Sequence, residues 1–147
     1  TGLAEWQATT REPTLSGDSF VAILLDPPRP DLRAAIASRF RQMLDNGAVE
    51  EVRSLLALSL DPALPAMRAH GVPELAAFLR GDIDLDEAAL RAISATGRYT
   101  KRQATWFRHH PVAIPTRTHT ICARIAGNEQ FSQRISPGII DFIHRVG

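Results

Sequence analysis

Phe20-Val21-Ala22-Ile23-Leu24-Leu25, bounded by Asp18 before it and Asp26-Pro27-Pro28 after it, is the stretch on which the fold turns. Six apolar residues run without polar alternation over the length of a strand. Such runs suit a strand covered on both faces, as in parallel sheets. The next segments have helical periodicity. Pro30-Asp31 opens a helix that places Leu32, Ile36, Phe40, Met43 and Leu44 on one face, and Asn46-Gly47 supplies its stop. Ala48 to Leu58 repeats the pattern with Val49, Val52, Leu55 and Leu56. Asp61-Pro62 and Pro65 break the chain, and Gly71 and Pro73 lead into a short helix with Leu75, Phe78 and Leu79, ended by Gly81. One core strand followed by several helices predicts an α/β fold, mostly helical, of the kind that ends an α/β domain with a helical appendage.

Further on, Asp84-Leu85-Asp86-Glu87 has the form of a capping box, Asp84 accepting from free amides and Glu87 reaching back. The helix it starts is predicted to run to about Arg108. Val112 to Ile125 has room for a short strand, and Ser136-Pro137 reads as the cap and first turn of a last helix carrying Ile139, Ile140 and Ile143. At the other end, residues 1–8 read as a short helical segment and Thr9 to Ser19 as a polar linker. Thr1-Gly2-Leu3-Ala4-Glu5-Trp6 has the character of the tail of a preceding element, so the expectation is a piece of something longer.

At 147 residues and 44% hydrophobic, the chain can bury one ordinary core. It has no apolar run approaching the ~18 residues of a membrane span, so no membrane partner is expected. Cys122 is alone, which rules out an internal disulfide and fits a reducing cytoplasm. The five histidines, His70, His109, His110, His119 and His144, have no cysteine or carboxylate at ligand spacing, so no metal site is read from the residues.

Charge is less even than the formal net of +1 implies. The only lysine, Lys101, lies in Arg98-Tyr99-Thr100-Lys101-Arg102-Gln103-Ala104-Thr105-Trp106-Phe107-Arg108, which also holds the only tyrosine. No acid occurs between Glu87 and Glu129, whereas Arg91, Arg98, Lys101, Arg102, Arg108, Arg117 and Arg124 all do. On a helical wheel at roughly 100° per residue, Leu85, Ala88, Ala89, Ala92, Ile93, Ala95, Tyr99, Trp106 and Phe107 share one broad arc. Arg91, Arg98, Lys101, Arg102 and Arg108 occupy a separate arc about 120° wide. A charged helix face is most simply a solvated one. Solvated faces, however, interleave both signs, and this one does not. Cations beside aromatic rings are also what a polyanion with exposed bases requires. Gly97, in mid-helix, implies a close approach there.

Lys101-Arg102-Gln103-Ala104-Thr105-Trp106-Phe107-Arg108 resembles, eight positions in register, the Lys-Arg-Gln-x-Thr-Trp-Phe/Leu-Arg signature of tRNA dimethylallyltransferases. These enzymes prenylate the exocyclic amine of the adenine next to the anticodon. Thr1 to Gln7 resembles the segment that closes their tRNA-binding insertion, Ile36 to Leu44 their Arg-Phe helix, and Leu64-Pro65-Ala66-Met67-Arg68-Ala69-His70-Gly71 their Leu-Pro-x-Met/Ile-Arg-x-Val-Gly segment. The resemblance covers residues 1 to about 110 well and the tail loosely. It implies the C-terminal part of a P-loop NTPase-like catalytic domain: 1–18 closing the tRNA-binding insertion, and 19–147 carrying the core with the basic helix 84–108 and the tail 111–147.

The resemblance also implies roles. Arg39 corresponds to an arginine that handles the donor's diphosphate, a task suited to a permanently charged fork. On the wheel it lies about 20° from Leu32, at the edge of the buried face. Arg68, Ala69, His70 and Gly71, and Arg98, Lys101, Arg102, Gln103, Thr105 and Arg108, fall in tRNA-contacting segments, with Trp106 and Phe107 expected to pack inward. Implied partners are the tRNA anticodon arm, dimethylallyl diphosphate and the N-terminal half of such an enzyme. Mg²⁺ is implied by the family alone. Where the family shows Tyr-Arg-Gln after its glycine, this chain has Val72-Pro73-Glu74, and where it shows Thr-Arg this chain has Thr96-Gly97. No G-x-x-x-x-G-K-[ST] occurs in the chain, and the family's general base belongs upstream of it, so the isolated chain is expected to be inactive. The other reading is a stand-alone RNA-binding or regulatory helical module without catalysis.

Overall fold

The computed structural model describes residues 20–125 and 127–146, so the readings placed on residues 1–19 lie outside the described residues. The chain divides into two compact units, one of residues 27–110 and one that joins the segment before residue 27 to the segment after residue 110.

The first unit is helical: α1 (Arg29–Asp45), α2 (Ala48–Ala57), α3 (Val72–Leu79) and α4 (Leu85–His109). Pro30 fits the first turn of α1 because its missing N–H is not needed there. Asn46 caps the far end through its own N–H, and Gly47 at φ 92° turns the chain directly into α2. The core gathers Phe40, Ala48, Val52, Leu75, Ala76, Ala88 and Ala92. Leu75 is its centre at 1% exposure, and Ala88 and Ala92, both at 0%, let the backbone of α4 come close to its neighbours α1 and α3. Leu44, Val49, Leu56 and Phe78 pack around that centre. Met43, expected on the buried face of α1, is instead exposed, because Leu44 and Phe40 already fill that side.

The capping box is half formed. The Asp84 carboxylate accepts from the Glu87 amide at 2.8 Å, but the Glu87 carboxylate turns forward to Arg91 Nε at 2.7 Å rather than back to the cap. An i,i+4 glutamate–arginine pair competes with the backward hydrogen bond, and here it wins.

The second unit contains a sheet. β1 (Ala22–Leu25) pairs in parallel with β2 (Thr118–Ile121), in the register Ala22↔Thr118 through Leu25↔Ile121. The one core strand expected thus gains a partner, β2, which lies in the Val112 to Ile125 segment that had room for a short strand. Asp26 N–H donates to Ile121 C=O at 3.0 Å and Arg117 Nε to Phe20 C=O at 3.2 Å, extending the pairing at both ends. β1 is not covered on both faces among the described residues. Ala22 and Leu24 are half-buried, but Ile23 and Leu25 stay 43% and 54% exposed, since two strands and one short layer of helix cover a single face. That layer is a turn at Asn128–Gln130, a π-helical turn at Phe131–Ile135 and α5 (Ser136–Val146). It buries Ile135 and Phe142, while Ile140 and Ile143 remain exposed. His119 of β2 lies against Phe142, ring centroids 5.2 Å apart.

Candidate nucleic-acid interface

α4 continues past its core. Asp84 caps the start, and Arg108 and His109 close the last turn, where cations complement the helix dipole. The buried residues of α4 are Ala88 and Ala92, with Leu85, Ala89 and Ile93 packed on the same core. Beyond Gly97 the apolar stripe persists in sequence but has nothing to pack on: Tyr99, Trp106 and Phe107 are 41%, 52% and 40% exposed. The expectation that Trp106 and Phe107 pack inward is thus corrected, because the core ends a full turn and more before them. Within 4 Å of where a Cβ on Gly97 would stand there is nothing, so no described part of the chain makes the expected close approach.

On the cationic side, Arg98, Lys101, Arg102, Thr105, Trp106, His109 and His110 line an open shelf of about 610 Å³. The ion pairs among the described residues are Arg53–Glu50, Arg80–Asp82 and Arg91–Glu87. Arg91, expected to belong to the uncompensated stretch, is therefore neutralised within the first turns, whereas Arg98, Lys101, Arg102 and Arg108 face no carboxylate among the described residues. Arg98 donates to Ser94 Oγ at 2.8 Å, and Arg102 stands 5.9 Å from the Tyr99 ring centroid, within cation–π reach. The unpaired charge begins where the core contacts stop.

Of the residues predicted as contacts, Arg98, Lys101, Arg102 and Thr105 come together on this shelf. The Thr105 hydroxyl donates to Lys101 C=O at 3.0 Å, so its oxygen is left to accept. Gln103 lies roughly 160° around the helix from Lys101, off the cationic face, and donates to Tyr99 Oη at 3.2 Å. Arg108 is exposed, on the same stripe as Lys101 but outside the shelf.

The second predicted segment reaches α4 through one contact. Pro65–Arg68 forms a 3-10 turn with Arg68 exposed, followed by exposed Ala69 and His70. The His70 ring meets Tyr99 at 5.0 Å between centroids, and Tyr99 in turn accepts from Gln103 and lies within reach of Arg102. Gly71 is different. It is buried, has φ 97°, and a Cβ there would sit 3.0 Å from the Phe40 ring, so its role is to let the chain turn into α3 against α1. Glu74 lies in the first turn of α3, half-buried, with Oε2 enclosed and unpartnered among the described residues. Its charge favours a helix N-terminus. Arg39, predicted at the edge of the buried face of α1, is exposed and has no ion pair or hydrogen bond among the described residues. The turn passes through Phe40, and its neighbour's guanidinium is left outside.

Two participants were missed by the sequence reading: His110, whose ring stacks on Trp106 at 4.8 Å and 11°, and Tyr99 as the bridge to His70. The i,i+4 spacing of Trp106 and His110 was a signal available for the first. No group of three or more His, Cys, Asp or Glu poised for a metal occurs among the described residues. No described helix is long and apolar enough to cross a membrane.

The fold and this surface define a mostly helical α/β chain with one acid-free cationic helix face. The chain belongs to the IPP transferase family, whose model matches residues 1–110. It is 56% identical over 142 residues to the tRNA dimethylallyltransferase of Granulibacter bethesdensis, covering 97% of this chain and 44% of that protein. It is 56% identical over 143 residues to the enzyme of the same name from Acidiphilium cryptum, again 97% and 44%. Among solved structures, the full-length tRNA isopentenylpyrophosphate transferase of Bacillus halodurans superposes with a TM-score of 0.66 at 25% identity, over 86% of this chain and 40% of that one. The chain thus spans less than half the length of the relatives it matches.

Proposed function

We propose that this chain is the tRNA-holding and diphosphate-stabilising part of a tRNA dimethylallyltransferase, an enzyme that moves a dimethylallyl group from dimethylallyl diphosphate to the exocyclic amine of the adenine beside the anticodon. The observation that carries this reading is the placement of the family's signature run. It lies on the distal half of α4, where Arg98, Lys101 and Arg102 form a face with no facing carboxylate among the described residues and the His70 ring meets Tyr99. Arg98, Lys101, Arg102 and Arg108 serve phosphates of the anticodon arm. Each phosphate neutralised releases counterions, so binding weakens as salt rises. Extracting an adenine from its stack costs a few kcal/mol, about what firm backbone clamping provides.

In the transfer, the allylic C–O bond breaks as the adenine amine forms the new C–N bond, and charge builds on the departing diphosphate. Arg39, free of any partner among the described residues, supplies two parallel N–H donors to that charge. The proton of the amine passes to a general base that the family carries upstream of the segments matched here. Mg²⁺ accompanies diphosphate in such reactions mainly through phosphate oxygens and water. The described residues offer it no cluster of ligands. The site is read as forming within a cytoplasmic P-loop NTPase-like domain when this chain and the family's N-terminal part are together.

The test is complementation. The 147-residue chain alone is expected to bind an anticodon stem-loop and to transfer no prenyl group. Fused behind the N-terminal portion of the Granulibacter bethesdensis relative, it is expected to transfer, and Arg39→Ala in that fusion to lower turnover by about 100-fold, the scale for losing one donor to developing charge. Robust transfer by the chain alone contradicts the reading.

A further inference from the structure

The distal half of α4 carries aromatic surface that phosphate binding does not explain. Trp106 is 52% exposed and its indole lies nearly parallel to the His110 ring, while Phe107 meets it edge-on at 5.0 Å. One indole face is taken by His110. The stacked pair forms one wall of the shelf whose other lining is Arg98, Lys101 and Arg102, with no carboxylate facing it among the described residues. A two-ring stack beside a row of cations is an arrangement that holds single-stranded nucleic acid: cations track the backbone while rings take unstacked bases. A paired duplex hides its base faces and offers only phosphate, so it uses the cations and leaves the rings idle.

We infer that Trp106, backed by His110, is a stacking platform for one unpaired base of the RNA loop, and that it makes the site prefer loop over duplex. This inference rests on the RNA-binding reading above and adds to it a source of selectivity that the arginines and lysine lack. His110 orients the indole and so acts as a positioning residue. Charge complementarity favours RNA over polypeptide as the occupant, because a protein segment covering an apolar tryptophan would have to desolvate three unpaired cations beside it.

The chain has two tryptophans, so Trp6→Phe leaves Trp106 as the sole indole reporter. Its fluorescence is titrated with an anticodon stem-loop and with a blunt duplex of equal phosphate number. Stacking predicts quenching by the stem-loop and little by the duplex. Trp106→Ala then weakens stem-loop binding by about tenfold, Trp106→Phe by less, and neither alters duplex binding, as expected for the loss of one base stack. Equal response to both RNAs overturns the inference. So does salt-dependent, Lys101-dependent binding with no change in indole emission, which leaves the RNA-binding reading standing. Absence of any RNA binding overturns both.

Discussion

The two halves of α4 obey the same sequence rule and meet different fates. From Leu85 to Thr96 the apolar arc is buried on Leu75, Phe40 and their neighbours, and the one basic residue of this half, Arg91, is paired with Glu87. From Gly97 to His109 the arc continues in sequence with Tyr99, Trp106 and Phe107, yet these rings are exposed and the cations beside them are unpaired among the described residues. Periodicity specifies which side of a helix is apolar. It does not specify how far along the helix the rest of the protein extends. The proximal half therefore carries stability, the distal half carries recognition on the function proposed above, and substitutions separate the two.

The largest expected effect is on the proximal side. Leu75→Ala removes the most buried large side chain and is expected to cost about 2–5 kcal/mol, read as a lower unfolding midpoint in denaturant. Trp106→Ala, in the exposed half, is expected to stay within about 0.5 kcal/mol of wild type in the same assay. Equal losses would erase the distinction. Next comes the turn that sets α3 against α1. Gly71→Ala forces a side chain into φ 97° and into the Phe40 ring, for a loss of about 1–3 kcal/mol. Gly47→Ala meets the same backbone penalty at φ 92° but open space, so it is expected to cost roughly 1 kcal/mol. If the two prove equal, the contact with Phe40 contributes nothing.

Smaller effects sharpen the boundary at the helix start. Asp84→Ala removes the one side-chain cap of α4 and is expected to lower stability by about 1 kcal/mol. Glu87→Gln breaks the exposed pair with Arg91, worth only about 0.3–0.5 kcal/mol, but leaves Arg91 unpaired. RNA affinity measured at low salt is then expected to rise slightly. A fall would mean that Glu87 itself belongs to the interface.

Much of this was legible in the sequence. The span of α4 is set by Asp84 at its start and by an acid-free, Pro-free run up to His109-His110-Pro111. The basic stripe comes directly from the wheel. What was not legible depended on residues far apart in the chain. The parallel pairing of Ala22–Leu25 with Thr118–Ile121 has no local signal in either segment, and exposure of Ile23 and Leu25 depends on how many strands join them. The fate of Glu87 was a contest between a cap and a cation within one turn, decided by side-chain reach. The His70–Tyr99 contact joins residues 29 positions apart beside the left-handed turn at Gly71, so nothing local in either segment announced it.

If the distal half of α4 grips RNA through unpaired cations, the salt dependence of binding reveals it. Affinity for an anticodon stem-loop is measured from low to moderate salt for the wild type and for Lys101→Ala/Arg102→Ala. Log K is expected to fall linearly with log salt, and the double variant to bind more weakly with a slope shallower by roughly 1.4–1.8, about 0.7–0.9 for each lost phosphate contact. A wild-type affinity indifferent to salt, or a double variant with unchanged affinity and slope, would contradict it.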